Sequence, residues 1–146
     1  MIEVQIRQAL YDSPEYWQMV ALRRAILRAP LGLDFTPEQL AAESEDHHFG
    51  AWVGQELIGC LVLEPLTGDS LKMRQVAVKP EWQGRGVGTA LVRFAETFAQ
   101  QHGYRKLVLH ARQTAVPFYL RLGYTVEGEP FEEVTLPHLL MTKWLA

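Results

Sequence analysis

The segment QGRGVGT, residues 83–89, places three glycines and one arginine between an apolar run and a helical pattern. Glycine allows backbone N–H groups to converge closely on a ligand, and positive φ angles cost it little. A helix that begins at such a turn adds roughly half a positive charge. The segment therefore predicts a strand, a phosphate-binding turn and a helix, with Arg85 as an additional planar cation.

Two common phosphate-binding motifs do not fit this turn. A P-loop requires the pattern G-x-x-x-x-G-K-[ST], and no lysine or serine follows the glycines here. A dinucleotide fingerprint that starts at Gly84 would require glycine where Thr89 stands, and no β-α-β unit at the N-terminus precedes it. An ordinary ATPase, a kinase and a dinucleotide-binding enzyme are all disfavoured.

The pattern around the turn predicts a mixed sheet with helices packed on its faces. The chain order is β-α-α-β-β-β-α-β-α-β, which is typical of an α/β or α+β domain. One helix runs from Ser13 and Pro14 to about Arg28, and the helix after the turn ends at Gly103. The remaining predicted elements are strands 2–7, 47–53, 56–64, 71–78 and 106–111, helices 36–43 and 115–123, and a strand 133–145 interrupted by Pro137.

Composition predicts one globular domain over residues 1–146. Apolar residues make up 48% and charged residues 21% of the chain, which suits a folded domain of this length. The net charge of −3 disfavours a nucleic-acid-binding role. The N-terminus lacks the basic start of a signal peptide, and no apolar run reaches the roughly 18 residues of a membrane helix. We expect a cytoplasmic protein without a membrane segment.

The single cysteine and the adjacent histidines are not expected to carry chemistry. Cys60 lies within a predicted strand, so a buried inert thiol is favoured over a nucleophile or a redox switch. His47 and His48 are neighbours on a strand, and their side chains should point to opposite faces. Shared metal ligation by this pair is therefore not predicted.

A family resemblance becomes specific at the glycine turn. Gln83 to Gly88 match the pattern Q/R-x-x-G-x-G/A, and this stretch resembles the acetyl-CoA site of the GNAT N-acetyltransferases. A later segment, ARQTAVPFYLRLGY, resembles that family's A-x-x-F-Y-x-x-x-G-[FY] pattern. The resemblance covers the second half of the chain, whereas the first half matches only in element order. It implies a mixed, mostly antiparallel sheet flanked by helices, with a V-shaped splay between the fourth and fifth strands.

The resemblance implies acetyl-CoA as the cosubstrate and no metal. The pyrophosphate would lie on the glycine turn, while the pantetheine amides would pair with an exposed strand edge. Trp82, beside the turn, is interpreted as surface packing. The residues implied to bind acetyl-CoA are Val76, Ala77, Val78, Gln83, Gly84, Arg85, Gly86, Val87, Gly88, Thr89, Ala115 and Phe118.

The resemblance also implies direct attack of an amine on the thioester. Tyr119 stands where the family places a tyrosine that protonates the coenzyme A thiolate. Many members carry a glutamate on the strand before the turn, but this chain has Gln75 there. The proton of the amine must pass to another group. The candidates are His110, His138, Glu132 and Glu133, of which His138 lies in a segment resembling the pattern F-x-E-x-x-[IL]-P-H-x-x-M of small bacterial members.

The acceptor is left open as a small-molecule or peptide amine. Arg23, Arg24 and Arg28 would favour an acceptor with a carboxylate if they line its pocket, and otherwise form a solvated basic helix face. Family members are often dimers, so a homodimer that uses the apolar C-terminal end is considered. Two alternative functions remain, a noncatalytic acetyl-CoA-binding regulatory protein of the same fold and a nucleotide-binding regulator.

Overall fold

The computed structural model of the protein describes residues 3–145. Ile2, which belongs to the first predicted strand, and Ala146 lie outside the described residues. The elements are β1 (Gln5–Ala9), α1 (Pro14–Arg23), α2 (Pro37–Ala41), β2 (His47–Val53), β3 (Glu56–Pro65), β4 (Ser70–Val78), α3 (Val87–Gln101), β5 (Lys106–Arg112), α4 (Val116–Arg121), β6 (Thr125–Glu133) and β7 (Leu136–Trp144).

These strands form one mixed sheet in the order β1-β2-β3-β4-β5-β7-β6. Only β4 and β5 pair in parallel, and the other neighbouring strands are antiparallel. The predicted hairpin of β2 and β3 is present around Gly54 and Gln55. The prediction of a mixed, mostly antiparallel sheet with flanking helices is confirmed.

β4 and β5 separate after their first four residue pairs. The pairing begins at Ser70 with Lys106 and ends at Met73 with Leu109. Beyond this point β4 remains paired with β3, where the register shifts next to Gln75, whose φ is +56°. Residues 74–78 of β4 therefore have no strand on the β5 side, and the predicted V-shaped splay is confirmed.

The long helix α3 covers one face of the sheet and supplies much of the core. Its fully buried residues include Leu91, Val92, Ala95 and Ala99. Helical spacing predicts an inward stripe of Val87, Ala90, Leu91, Phe94, Ala95 and Phe98, but Phe94 is 37% exposed. The inward stripe is thus shifted by one position relative to the predicted stripe, because the helix presents Val92 and Ala99 to the sheet.

The helix predicted to run to Arg28 changes its geometry before that residue. The α-helical part ends at Arg23, a π-helical turn follows over Arg24–Arg28, and a short 3-10 turn covers Ala29–Leu31. Pro30 has no N–H group to donate, so an α-helical ladder cannot continue through it. Gly32 then ends the segment at a φ of +71°.

The strand predicted over residues 133–145 is present as β7, but β6, which precedes it and pairs with it antiparallel, was not predicted. Val134 and Thr135 connect the two strands with φ angles of +50° and +66°. β6 is an edge strand and is largely exposed, so its sequence shows no apolar alternation. Pro137 lies in β7, just before the residues that pair with β5, where a missing N–H group is tolerated.

A buried polar cluster joins α1 to the segment before β2. Arg23 is 0% exposed and its guanidinium makes two hydrogen bonds to the carboxylate of Glu43, at 2.9 and 2.6 Å. The Tyr16 hydroxyl donates to the same carboxylate at 3.0 Å, and the His48 ring contacts the Glu43 carbonyl oxygen at 3.1 Å. Arg23 thus lies in neither a solvated face nor an acceptor pocket, and its role is structural.

The buried carboxyl group of Asp46, close to this cluster, should make the stability of the protein depend on pH. Its side chain is 5% exposed, and its nearest cation, Arg74, is 3.7 Å away. Burial, and then the charge of Glu64, raise the pKa of Asp46 to about 6. Because the folded pKa exceeds the unfolded one, this group contributes stability at low pH that is lost as pH rises through about 6.

We expect Asp46→Asn to be more stable than the wild type at pH 7.5 by about 1 to 3 kcal/mol, and this advantage to shrink towards pH 5. The free energy of unfolding in urea, measured across this range, checks the prediction. Asp69→Asn removes an exposed carboxylate before β4 and should keep the wild-type dependence on pH. Parallel curves for wild type and Asp46→Asn would contradict the account.

Candidate active site

The glycine turn leaves its backbone open on one side. After a 3-10 turn over Pro80–Trp82, Gly84 and Gly86 adopt φ angles of +73° and +85°, and Gly86 is the N-cap of α3. A Cβ added to either glycine would have no heavy atom within 4 Å. No side chain caps the helix, so no side chain occupies its first N–H groups. An anion can therefore approach the positive end of α3.

The first cavity, of about 730 Å³, extends from the glycine turn along the free edge of β4. Every residue predicted to bind acetyl-CoA lines this cavity except Arg85 and Val87. Val87 is buried in the core. The Arg85 guanidinium lies 4.5 Å from the ring centre of Trp82. Trp82 was predicted only to pack on the surface, but it also lines the cavity.

Two contacts shape the walls of the first cavity. The Gln83 side chain donates to the carbonyl oxygen of Val78 at 3.0 Å and so ties the glycine turn to the end of β4. A Cβ on Gly88 would lie 3.3 Å from Phe118, so α3 and α4 approach closely at this glycine. The turn is therefore held between the splayed strand and α4.

A second cavity, of about 660 Å³, lies against β4, β5, the start of β7 and the turn after α1. Both cavities are lined by Val76, Ala115 and Tyr119. Tyr119 is 7% exposed, and burial raises the pKa of its phenol above the ordinary value. The Tyr119 side chain thus stands between the two cavities in its protonated form.

Three of the four candidate bases meet in the second cavity. The Nδ1 atom of His110 lies 2.9 Å from one oxygen of Glu133, and the Nε2 atom of His138 lies 3.8 Å from the other. Burial by itself would raise the pKa of Glu133, but the hydrogen bond and charge of His110, with the charges of His138 and Lys72, lower it overall. Glu132 is exposed and does not line the cavity.

Cations outnumber carboxylates around the second cavity. Of the arginines proposed on the first helix only Arg28 lines it, since Arg23 is buried and Arg24 pairs with Asp34 at 2.6 Å. Arg112, which the sequence analysis did not single out, also lines the cavity. Its spacing of two residues from His110 was the available signal, because such residues share one face of a strand. The charged lining residues are Arg28, Asp34, Lys72, Arg74, Arg112 and Glu133.

Cys60 lines neither cavity. It is fully buried, its thiol contacts the carbonyl oxygen of Gln75 at 3.7 Å, and burial raises its pKa to about 12. A thiol in this environment is not a nucleophile at neutral pH. The prediction that this thiol is buried is confirmed.

The described residues contain neither a metal-binding cluster nor a membrane-spanning helix. Between residues 3 and 145 no group of three or more His, Cys, Asp or Glu side chains could hold a metal ion. Within the same part of the chain, no helix has the length and apolar character needed to cross a membrane.

Known proteins resemble this chain in sequence and structure. The Acetyltransferase (GNAT) family profile matches residues 8–124. Uncharacterized N-acetyltransferase YjcF of Bacillus subtilis (strain 168) is 30% identical over 102 residues, which are 69% of this chain and 72% of that protein. Two further relatives from Bacillus subtilis (strain 168) are each 30% identical over 78 residues, which are 53% of their own length. The chain therefore spans about half of each of these two proteins.

Solved structures match over almost the whole chain. A Lactobacillus plantarum protein, provisionally named an N-acetyltransferase, has a TM-score of 0.86 at 26% identity and matches over 98% of this chain and 99% of its own. A GNAT family acetyltransferase from Elizabethkingia anophelis, with acetyl-CoA bound, has a TM-score of 0.76 at 20% identity and matches over 97% and 98%. These structures share the fold, and the profile match together with the YjcF match shows that the chain belongs to the GNAT acetyltransferase family.

Proposed function

We propose that this protein is an N-acetyltransferase that uses acetyl-CoA and acetylates an amine by direct attack, without an acyl-enzyme. The observation that carries the proposal is that Val76, Ala115 and Tyr119 line both cavities. A donor bound in the first cavity and an acceptor bound in the second would meet at these residues. Their proximity would supply the orientation that a bimolecular acyl transfer requires.

The first cavity suits coenzyme A in chemistry as well as in shape. The N–H groups near Gly84, Gly86 and Gly88 would bind the pyrophosphate at the positive end of α3. The unpaired edge of β4 from Val76 to Val78 would form hydrogen bonds with the pantetheine amides. The acetyl-CoA bound to the Elizabethkingia anophelis relative supports this assignment by analogy.

Tyr119 is assigned as the proton donor to the departing thiolate. Burial raises the pKa of its phenol, so the hydroxyl keeps its proton until a strong base forms beside it. A thiolate released into the same buried site is such a base, because low polarity also disfavours its charge. A backbone N–H group near Val76 is assigned to polarise the acetyl carbonyl.

The histidine and carboxylate cluster is assigned to accept the proton of the amine. Glu133 remains ionised because its pKa is lowered, and it accepts a hydrogen bond from Nδ1 of His110. In that tautomer Nε2 of His110 carries the lone pair and can accept a proton directly or through a water molecule. His138 is the alternative base, because its Nδ1 atom contacts the Leu136 carbonyl oxygen at 2.9 Å. A proton on Nδ1 leaves the lone pair on Nε2, as in His110.

Ligand-dependent thermal unfolding tests the proposed cofactor. At one hundred times its dissociation constant, acetyl-CoA should add about 2.7 kcal/mol of stability, a melting shift of several degrees. ATP and NAD at the same concentration should cause no comparable shift. Stabilisation by ATP or NAD instead would refute the assignment of the first cavity.

Thiol release from acetyl-CoA tests the proposed transfer. A panel of amines that includes neutral alkyl and aryl amines should contain at least one compound that accelerates the release and is recovered with an added acetyl group. Stabilisation by acetyl-CoA without release in the presence of any amine would favour a noncatalytic acetyl-CoA-binding regulator of the same fold.

A further inference from the structure

Two guanidinium groups in the second cavity are held beside each other. Nη1 of Arg28 and Nη2 of Arg112 both donate to the carbonyl oxygen of Leu27, at 3.2 and 2.7 Å. The two nitrogens are thus separated by no more than the sum of these distances, about 5.9 Å. One residue belongs to the π-helical turn after α1 and the other to the end of β5, so the tertiary fold brings them together.

Neither guanidinium has a carboxylate partner within the described part of the chain. The two carboxylates of the cavity are engaged elsewhere, Asp34 with Arg24 at 2.6 Å and Glu133 with His110 at 2.9 Å. Burial lowers the pKa of both arginines, and for Arg28 the charges of Arg112, Arg23 and Arg74 lower it further, against a smaller opposing effect of Glu133. Two partly buried like charges that form no ion pair are unfavourable, and a bound anion would relieve this cost.

The arginine pair is also held in position before any ligand binds. The Arg28 guanidinium stacks on the Phe35 ring, 4.7 Å from its centre, and Phe35 itself is 9% exposed. The hydrogen bond to the Leu27 carbonyl oxygen restrains the Arg28 guanidinium further, and Arg112 donates to the same oxygen. Fixed planar donors lose little entropy when they bind an oxyanion with two oxygens.

The pair lies next to the groups assigned to proton transfer. His110 and Arg112 are two residues apart on β5, so their side chains leave the same face of the strand, roughly 7 Å apart. His138 is the direct partner of Arg112 across β5 and β7. An acceptor that anchors an anionic group on the arginines can therefore present a nearby amine to the histidines.

We propose that the acceptor is a small molecule that carries an amine and an oxyanion, and that Arg28 and Arg112 bind the oxyanion. This proposal rests on the proposed function, because it assigns the second cavity to the acceptor. A carboxylate and a phosphonate share the required chemistry, and an amino acid is the carboxylate form. The two arginines are specificity determinants and take no part in the transfer of protons.

The experiment compares acceptors that differ only in the anionic group. The common L-amino acids, their carboxamides and matching aminoalkyl phosphonates are assayed by thiol release from acetyl-CoA with the whole protein. The best carboxylate or phosphonate acceptor should exceed its neutral carboxamide in kcat/KM by about 10- to 100-fold, the range of one to two charge-assisted hydrogen bonds. Comparison of the two anionic arms identifies which oxyanion is preferred.

Arginine variants then assign the selectivity to the pair. Arg28→Gln and Arg112→Gln should each lower kcat/KM for the anionic acceptor by about 10- to 100-fold. For the carboxamide, kcat/KM should stay within about twofold of the wild-type value. A purely structural defect would lower both acceptors together. Arg105→Gln, at an exposed residue just before β5, should keep the wild-type ratio. If one of the two arginine variants does not fold, the kcat/KM ratio of the other variant tests the proposal.

Several outcomes would overturn the proposal. These are carboxamides or neutral amines that match the anionic acceptors, variants that leave the ratio unchanged, and a panel in which no anionic member is acetylated. Acetylation of neutral amines alone would reject the oxyanion site and retain the transferase. Failure of acetyl-CoA to stabilise the protein would instead reject the proposed function itself, so the two failures are distinguishable.

Discussion

Tyr119→Phe is expected to lower kcat by roughly tenfold to ten-thousandfold while the dissociation constant of acetyl-CoA stays within about twofold. Phenylalanine retains the ring that packs between the cavities and removes only the hydroxyl. The thiolate would then leave without a proton donor at its side. Steady-state thiol release gives kcat, and titration of the protein with acetyl-CoA gives the dissociation constant.

Tyr124→Phe is the matched control for the loss of a buried hydroxyl. The Tyr124 ring lies 5.8 Å from that of Tyr119, but its hydroxyl donates to Glu96 and not into a cavity. This variant should lose stability by about 1 to 3 kcal/mol, because the Glu96 carboxylate loses a donor, and should keep its kcat. A Tyr119→Phe enzyme with wild-type turnover would remove Tyr119 from the acid role.

Gly86→Val is expected to raise the dissociation constant of acetyl-CoA by roughly 10- to 100-fold, through the loss of charge-assisted hydrogen bonds to the pyrophosphate. At a φ of +85°, Gly86 adopts a conformation that β-branched residues disfavour. The space around its missing Cβ is open, so the new side chain would stand where the ligand approaches. Isothermal titration with acetyl-CoA measures the change.

Gly103→Val separates backbone strain from obstruction of the ligand. Gly103 follows the other end of α3, has a φ of +81°, and has equally open surroundings. Both variants should lose about 1 to 2 kcal/mol of stability from the left-handed backbone. Only Gly86→Val should weaken acetyl-CoA binding, and equal binding by the two variants would count against the glycine turn as the pyrophosphate site.

Local patterns along the chain predicted the elements that depend on near neighbours. The glycine turn leads into α3 and Ser13 caps α1 as expected, and the predicted helix that begins at Thr36 starts with a capping box of Thr36 and Gln39. Each of these features depends on hydrogen bonds or φ angles within four residues. Such signals are legible in sequence because no distant residue is needed to create them.

Features that depend on distant partners were not predicted. β6 is exposed and lacks apolar alternation, and its strand conformation depends on pairing with β7. Arg23 and Arg28 are both arginines of the first helical segment, yet one pairs with buried Glu43 and the other lines a cavity. Helical spacing alone could not separate them, because the difference arises from what packs against each turn.

The sequence by itself determined the family, the mixed sheet and the position of the glycine turn, since these follow from local backbone chemistry and a motif of adjacent residues. Only the tertiary structure decided how the two cavities meet at Tyr119 and how Arg28 comes to lie beside Arg112. Those two arginines are 84 positions apart and share one carbonyl oxygen. Contacts of that kind are made by strand register and helix packing, which neither segment encodes alone.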